Sequence, residues 1–307
     1  MSRNKALHTA NKNKEDEFYT KISDIEKELK HYKIHFKNKT IFCNCDDPEY
    51  SNFWKYFKLN FEYLNLNKLI TTHYSKNGQS YKLELEKVID NSGELILKTT
   101  KTILDGNGDF RNDECIEILK ESDIVVTNPP FSLFRDYVSK LIRYNKKFII
   151  IGNQNAITYK EIFHLIKENK IWLGYNNGEM EFIVPSYYEP RKTRFRIDEN
   201  GIKYRSLGNI CWFTNLDISK RHEDLILYKT YTKDDYDTYD NYNGINVNKV
   251  DEIPIDYNGV MGVPITFLHK YNPEQFEIIH FRKGEDGRDL SIDGKCPYFR
   301  ILIKKRK

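Results

Sequence analysis

A short hydrophobic strand followed at once by two prolines constrains the fold of this chain more than any other feature. Asp123 to Thr127 is rich in β-branched residues, which predicts a buried strand. Asn128-Pro129-Pro130-Phe131 comes next, and neither proline can donate a hydrogen bond to a sheet. The strand therefore ends in an exposed amide and an aromatic ring. In open α/β sheets, ligands bind at this carboxyl edge.

The residue types at this edge suit a flat base that carries an exocyclic amine. The side chain of Asn128 has an oxygen that accepts a hydrogen bond from an amine, and the ring of Phe131 offers a face for stacking. A Pro-Pro turn that only caps the next helix is the alternative, since short motifs often occur by chance. The upstream strand and Phe131 favour a ligand site.

Strands and helices alternate through the first half of the chain, which predicts βαβ units and a parallel sheet. Strands are predicted at Thr40 to Cys45, Lys68 to His73 and Lys147 to Gly152. A hairpin from Tyr81 to Lys98 is inserted among them. Later strands are predicted at 181–184, 210–214, 225–228 and 299–303. The expected fold class is α/β with a mostly parallel central sheet.

A change in composition near residue 219 predicts the domain boundary. The chain beyond it is rich in Tyr, Asp, Asn and Gly. We therefore expect a catalytic domain at 1–218, which begins with a mobile basic arm at 1–17, and a recognition region at 219–307. No signal peptide and no apolar run near 18 residues is visible, which predicts a soluble, cytoplasmic protein.

The net charge of the 307-residue chain is only +4, so the distribution of charge says more than its sum. Four cations cluster within six residues: Arg191, Lys192, Arg194 and Arg196. Such a patch is typical of nucleic-acid contacts, with a solvated surface as the alternative. The five cysteines form no Cys-x-x-Cys pair, and the histidines have no metal-ligand spacing, so no metal is expected.

The turn after the first strand of the sheet excludes two common nucleotide sites. It has no Gly-x-Gly-x-x-Gly, and no Gly-x-x-x-x-Gly-Lys-Ser/Thr occurs in the chain. The turn carries Cys43-Asn44-Cys45-Asp46-Asp47-Pro48 instead. Its carboxylates repel phosphate but accept hydrogen bonds from a ribose hydroxyl or an α-amino group.

Several motifs in order along the chain resemble the EcoRI-type adenine-specific DNA methyltransferases, within the S-adenosylmethionine-dependent N6-adenine enzymes. They are Asp16-Glu17-Phe18-Tyr19-Thr20, Cys43-Asn44-Cys45-Asp46-Asp47-Pro48, Ser51-Asn52-Phe53, Gly108-Asp109-Phe110, Thr127-Asn128-Pro129-Pro130-Phe131, Trp212-Phe213-Thr214-Asn215-Leu216 and Met261-Gly262-Val263-Pro264-Ile265-Thr266-Phe267-Leu268. The resemblance implies a Rossmann-like methyltransferase fold and covers most of the chain.

The same resemblance assigns roles to individual positions. The Asn128 side chain and the Pro129 carbonyl would accept hydrogen bonds from the N6 amine of adenine, and Phe131 would stack on the flipped base. Pro130 completes this catalytic element. The residues expected to bind S-adenosylmethionine are Phe18, Tyr19, Thr20, Asn44, Cys45, Asp46, Asp47, Asp109 and Phe110.

The chain departs from the family pattern in two places. The usual glycine-rich loop after the first strand is replaced by residues 47–52, and the acidic residue that often ends the second strand is replaced by His73 and Tyr74. The residue that binds the ribose hydroxyls is therefore open.

The resemblance implies an enzyme that methylates a flipped adenine in duplex DNA, as the modification partner of a restriction endonuclease. A monomer suits modification of one strand at a time. Two alternatives stay open at this point: a methyltransferase that acts on RNA or protein amines or amides, and a catalytically silent DNA-binding specificity protein.

Overall fold

The computed structural model describes residues 18–45, 47–75 and 79–306, so the predicted arm at 1–17 lies outside the described residues. The chain divides into two compact units. The first comprises the described residues up to Ile162 together with Gly174–Leu216. The second comprises Phe163–Leu173 and the chain from Asp217 onward, so it includes a segment that we had placed in the catalytic domain. Target recognition by residues 219–307 stays a prediction.

The first unit contains a mixed sheet whose centre is parallel. Its strands are β1 (Tyr19–Thr20), β2 (Thr40–Cys43), β3 (Lys68–Thr72), β4 (Tyr81–Ile89), β5 (Leu95–Ile103), β6 (Ile124–Thr127), β7 (Lys147–Asn153), β8 (Trp172–Val184), β9 (Phe195–Ile197) and β10 (Lys203–Thr214). Their order is β1-β8-β10-β7-β6-β2-β3-β4-β5, with β9 paired to β10. The pairs β3–β2, β2–β6 and β6–β7 are parallel. The predicted α/β class is confirmed. The sheet is mixed because β4–β5 is a hairpin and β10 runs antiparallel beside β7.

Helices cover the parallel centre. They are α1 (Ile22–Leu29), α2 (Lys33–Phe36), α3 (Asn52–Leu59), α4 (Asp113–Glu121), α5 (Phe134–Arg143) and α6 (Lys160–Lys167). Every residue of β2 and β6 is buried, as expected for strands with helices on both faces. Helices α3, α4 and α5 contact β3, β2 and β7 respectively. No helix in the described part of the chain is both long and apolar enough to cross a membrane.

The strand order creates a switch point between β2 and β6. From β2 the chain continues to β3 on one side, and it later returns to β6 on the other side. The carboxyl ends of two such strands open a crevice, which is where ligands bind in sheets of this kind. We call the residues that follow these strands the β2 turn (residues 44–47) and the β6 turn (residues 128–131). Both predicted ligand-binding turns therefore start at the same crevice.

The second unit has a separate sheet of β11 (Gly244–Asn246), β12 (Val260–Pro264), β13 (Phe276–Phe281) and β14 (Arg300–Lys305), in the order β11-β12-β14-β13. The strand predicted at 225–228 is not formed. The backbone of Leu225 instead bonds the side chain of Gln275, whose amide accepts from its N–H at 2.7 Å and donates to its carbonyl at 2.8 Å. A side chain thus replaces a neighbouring strand.

Candidate functional site

The amide of Asn128 lies at the end of β6, where the sequence places it, but it is buried. The residue is only 7% exposed, so the prediction of an exposed amide is wrong. Its Nδ2 donates to the backbone carbonyl of Phe18 at 2.7 Å, and this contact closes over the side chain. Its Oδ1 is buried and has no hydrogen-bond partner among the described residues. Such acceptors are rare inside proteins, and a donor from a ligand would satisfy this one.

Four aromatic side chains form a cluster beside this amide. The rings of Phe131 and Phe18 are stacked, with centroids 6.0 Å apart and planes at 19°. Phe182 meets both rings edge-on, at 6.4 Å from Phe131 and 5.7 Å from Phe18. Tyr188 also meets Phe18 edge-on, at 6.2 Å. Phe182 and Tyr188 were not predicted. Alternation within the predicted strand at 181–184 could have indicated Phe182, whereas no local pattern marks Tyr188.

The β2 turn is bound to its neighbours through Asn44, which is 4% exposed. Its backbone carbonyl accepts a hydrogen bond from the Thr127 hydroxyl, at the end of β6. Its side-chain Oδ1 accepts from the Tyr137 hydroxyl, on α5. Burial raises the pKa of Tyr137 well above its ordinary value, so the hydroxyl stays protonated and remains a donor. These two bonds connect the β2 turn to β6 and to the helix that follows the β6 turn.

The sequence analysis did not assign Tyr137 to the site, although a helical pattern places it in the core. Phe134, Tyr137, Val138 and Leu141 are all buried and follow helical spacing on one face of α5. That spacing alone predicts a core residue. Only the structure shows that the hydroxyl reaches Asn44.

The structure describes only one of the two acidic residues of the β2 turn. Asp46 lies outside the described residues. Asp47 is a quarter exposed, and its Oδ2 lies 3.7 Å from Nε2 of His73, which follows β3. Its Oδ1 accepts from the backbone N–H of Glu49 at 2.9 Å. A carboxylate therefore stands at the end of β3 after all, supplied by the neighbouring turn. Tyr74 is 46% exposed.

The Gly108-Asp109-Phe110 segment is held against the same edge of the sheet. A Cβ on Gly108 would lie 2.0 Å from the carbonyl oxygen of His73, and the backbone φ there is +75°, so only glycine fits. Phe110 is 7% exposed and meets Tyr137 edge-on at 5.0 Å. Asp109 accepts two hydrogen bonds from Arg111, at 2.8 and 2.6 Å, and Arg111 lowers the pKa of this carboxyl.

The N-terminal segment 18–20 makes contacts in two different places. Phe18 contacts Asn128 and Phe131, as described above. The ring of Tyr19 instead packs against Tyr50 at 5.9 Å, and the carbonyl of Thr20 accepts from Asn52 Nδ2 at 2.7 Å. Tyr19 and Thr20 thus contact the segment between the β2 turn and α3. The structure separates Phe18 from the two neighbours with which it was grouped.

A buried carboxylate fastens this N-terminal segment to β8. Glu28 on α1 is fully buried. Its two oxygens accept hydrogen bonds from the Tyr32 hydroxyl at 2.8 Å, the Tyr175 backbone at 2.8 Å, and the Asn176 backbone and side chain at 2.8 and 2.7 Å. Burial nevertheless raises the pKa of Glu28. The position of Phe18 therefore depends on a segment that is anchored by an internal acid.

The basic cluster lies around β9, and at least two of its cations, Arg194 and Arg196, are already near carboxylates. Arg196 donates to both oxygens of Glu181, at 2.8 and 2.7 Å. Arg194 lies 3.8 Å from Glu179. Arg191 is placed 5.8 Å from the ring centroid of Tyr188, next to the aromatic cluster. The role of Arg191, Lys192, Arg194 and Arg196 in DNA binding stays a prediction.

Comparisons with known proteins agree with this fold. The family model described as adenine-specific methyltransferase EcoRI matches residues 6–306. The Type II methyltransferase M.EcoRI of Escherichia coli is 56% identical over 99% of this chain and 97% of its own length. M.MgeORF184P of Mycoplasma genitalium is 42% identical over 98% and 99%, and M.MpnI of Mycoplasma pneumoniae is 38% identical over 98% and 98%. No solved structure matches the chain significantly.

The fold and these matches define the chain as an adenine-specific methyltransferase with a Rossmann-like sheet. It belongs to the EcoRI family of these enzymes. The resemblance stated from the motifs is thereby confirmed, as is the predicted activity of an adenine-specific DNA methyltransferase. The matches favour that activity over an RNA or protein methyltransferase and over a catalytically silent binding protein. Among the described residues, no group of three or more His, Cys, Asp and Glu side chains is arranged to hold a metal.

Proposed function

We propose that this enzyme transfers a methyl group from S-adenosylmethionine to N6 of an adenine flipped out of duplex DNA, with Asn128 and Pro129 as the acceptors that orient the amine. The unpartnered Oδ1 of Asn128 carries the proposal. It is a buried acceptor beside an aromatic cluster, which fits a flat base with an exocyclic amine and does not fit a phosphate or a carboxylate. Flipping is required because the amine is not accessible within a duplex.

The chemistry needs orientation more than it needs a strong base. The lone pair of an aromatic amine is delocalised into the ring, so the amine is a weak nucleophile. Two acceptors on its protons favour a pyramidal nitrogen whose lone pair is directed at the methyl donor. The proton leaves after transfer. Asn128 Oδ1 serves as one acceptor in this scheme, and the Pro129 carbonyl serves as the other.

Stacking on Phe131 offsets the cost of extruding the base. Extrusion costs a few kcal/mol, whereas stacking of one base on an aromatic side chain contributes about 1–3 kcal/mol. The ring of Phe131 is half-buried and follows two prolines, so it has little freedom to turn away. We assign it the capture of the target adenine.

The described residues of the β2 turn and the Asp109 loop fit a ligand that has hydroxyl and ammonium donors. Bound S-adenosylmethionine supplies an activated methyl group on a sulfonium. Asp47 would accept from its hydroxyl or ammonium groups, in place of the acidic residue that is missing at the end of β3. The Nδ1 of His73 is buried and has no hydrogen-bond partner within the described part of the chain, so a ligand donor or acceptor could pair with it. Asp109 and Phe110 would hold the adenine end.

Labelled S-adenosylmethionine and unmodified duplex DNA of mixed sequence test the reaction directly. After digestion to nucleosides, we expect the label in N6-methyladenine. DNA that the enzyme has already modified serves as the control and should accept no further label. Label found only on cytosine, RNA or protein would refute the proposal.

Asp47 provides a separate test of the cofactor side. Asp47→Asn keeps the shape of the side chain but removes its charge, so calorimetry should show weaker binding of S-adenosylmethionine. Glu49→Gln, two residues after Asp47, is the matched control for a general loss of negative charge. Equal affinities of Asp47→Asn and the wild type would remove Asp47 from the cofactor site.

The relatives are Type II methyltransferases, which supports a role in restriction and modification, and the proposal has two further parts. The enzyme would protect host DNA from a restriction endonuclease that cuts the same sequence, and it would act as a monomer on one strand at a time. Mapping N6-methyladenine across the host genome gives the target sequence. Sedimentation with and without that duplex gives the number of chains in the complex.

A further inference from the structure

We propose that Phe18 is a positioning residue of the adenine site. Its backbone carbonyl fixes which end of the Asn128 amide faces the target amine, and its ring forms, with Phe131, the clamp that receives the base. The inference rests on the proposed function, and it moves Phe18 from the cofactor side, where the family pattern puts it, to the base side.

The first half of the inference follows from the chemistry of an amide. The two ends of an Asn side chain have nearly the same shape, so the hydrogen-bond network decides which end is which. The carbonyl of Phe18 is an acceptor only, so the NH₂ end must face it, and the distance of 2.7 Å shows that it does. The oxygen is then directed the other way, where none of the described residues pairs with it. The reversed amide would bring two oxygens together at Phe18 and offer a donor to a substrate that is itself a donor.

The second half follows from the spacing of the rings. Phe18 and Phe131 are almost parallel, with centroids 6.0 Å apart. A base between two rings needs two stacking separations of about 3.4 Å each, or about 7 Å. The centroid distance includes any sideways offset of the two rings, so the gap between their planes is 6.0 Å at most. One ring must therefore move by at least about 1 Å when a base enters.

Phe18 is the ring that is free to make this movement. Phe131 follows Pro129 and Pro130, whose rings fix the backbone. Phe18 precedes a two-residue strand at the end of the sheet order, which is paired to β8 alone. Phe182 and Tyr188 contact the Phe18 ring at steep angles, 63° and 62°, and not as parallel stacked rings. These ring contacts also hold the carbonyl of residue 18 at Asn128.

The test uses the full-length enzyme and a duplex with 2-aminopurine in place of the adenine that it methylates. Phe18→Ala should lower kcat by about 10–100-fold, since a misplaced catalytic group costs rates of this order. The rise in 2-aminopurine emission on binding should shrink, and the Kd for S-adenosylmethionine should stay within about twofold, a change of less than about 0.5 kcal/mol. Phe18→Tyr retains the ring and should recover most of both signals. Phe18→Leu, which keeps apolar volume, should behave like the alanine variant and replaces it if that variant does not fold.

A double-mutant cycle tests whether Phe18 acts through Asn128. In an Asn128→Ala background there is no amide left to orient, so adding Phe18→Ala should lower kcat much less than it does in the wild-type background, and the loss that remains measures the clamp. Ile34→Ala, on the same N-terminal segment and 84% exposed, is the control and should match the wild type throughout.

Two outcomes would overturn the inference. One is a loss of affinity for S-adenosylmethionine as large as the loss in kcat, which would return Phe18 to the cofactor side. The other is an equal loss of kcat in both backgrounds of the cycle. A wild-type enzyme that does not methylate adenine, or does not brighten 2-aminopurine, would instead contradict the proposed function.

Discussion

The two turns that meet at the switch point are held by different means. The β6 turn is stiffened covalently by Pro129 and Pro130, and its amide is oriented from a distant part of the chain at Phe18. The β2 turn contains a non-glycine residue in the left-handed region, Cys45 with φ of 65°, and is held by hydroxyls that donate to Asn44. A turn that presents an unpaired acceptor cannot use that atom for its own stability, so its rigidity comes from the backbone. A turn whose polar atoms are paired can be held by its neighbours.

Asn128→Ala should have the largest effect, because it removes the unpaired acceptor of the β6 turn. An electrostatic contact that matters most in the transition state is worth about 10²–10³ in kcat. We expect a loss of that size, while calorimetry shows the Kd for S-adenosylmethionine within about twofold of wild type. Such a split between kcat and Kd assigns the β6 turn to the base and the β2 turn to the cofactor. A parallel loss of both would mean that the turns do not have separate roles.

Tyr137→Phe should affect the β2 turn and spare the acceptor of the β6 turn. The variant leaves Asn44 Oδ1 buried without its donor, which costs about 1–3 kcal/mol of unfolding free energy. Urea denaturation measures that cost, and calorimetry should show weaker binding of S-adenosylmethionine. Tyr144→Phe, at the end of α5, is the matched control for loss of a hydroxyl. Unchanged stability of Tyr137→Phe would show that this bond does not hold the β2 turn.

Glu28 anchors the N-terminal segment whose Phe18 contacts the β6 turn. We therefore expect the stability of this arrangement to depend on pH. Because burial raises the pKa of Glu28 above its ordinary value of 4.5, protonation stabilises the folded chain. Its contribution is complete below pH 4.5 and is lost as the pH rises through the raised pKa. Glu28→Gln has no titrating group at this position and serves as the reference. As the pH is lowered from neutral to 4.5, the unfolding free energy of the wild type should rise relative to that of Glu28→Gln. Urea midpoints of both proteins across that range check the sign, and a difference that falls on acidification would contradict it.

Whether a part of the site could be predicted from the sequence depends on how far apart in the chain its interacting residues lie. The position of Asn128 followed from a hydrophobic strand and two prolines, which act within a few residues. Its burial could not be predicted, because the covering residue, Phe18, is 110 positions away. The carboxylate at the end of β3 could not be predicted either, since it comes from Asp47 on another strand's turn.

The same distinction between local and distant contacts separates the parts of the fold that could be predicted from those that could not. The parallel centre is visible in the sequence because its strands are continuous apolar runs between helical segments. The pairing of β10 with β7 and the anchoring of α1 by Glu28 depend on residues far apart in the chain. The strand expected at 225–228 failed for the same reason, because the amide of Gln275 bonds the backbone of Leu225.

Cys45→Gly should have the smallest effect, and it tests the backbone of the β2 turn alone. A left-handed φ of 65° costs a non-glycine residue about 1–2 kcal/mol, whereas glycine adopts it freely but loses about 0.5–1 kcal/mol through the entropy of the unfolded chain. Cys45→Ala is the control, because it also removes the thiol but keeps the strain. We expect the glycine variant to be the more stable of the two by up to about 1 kcal/mol in urea denaturation. An alanine variant that is more stable than the glycine variant by about 0.5–1 kcal/mol, the entropy loss of glycine alone, would show that the turn is unstrained. The contrast between the two turns would then lie only in their hydrogen bonds.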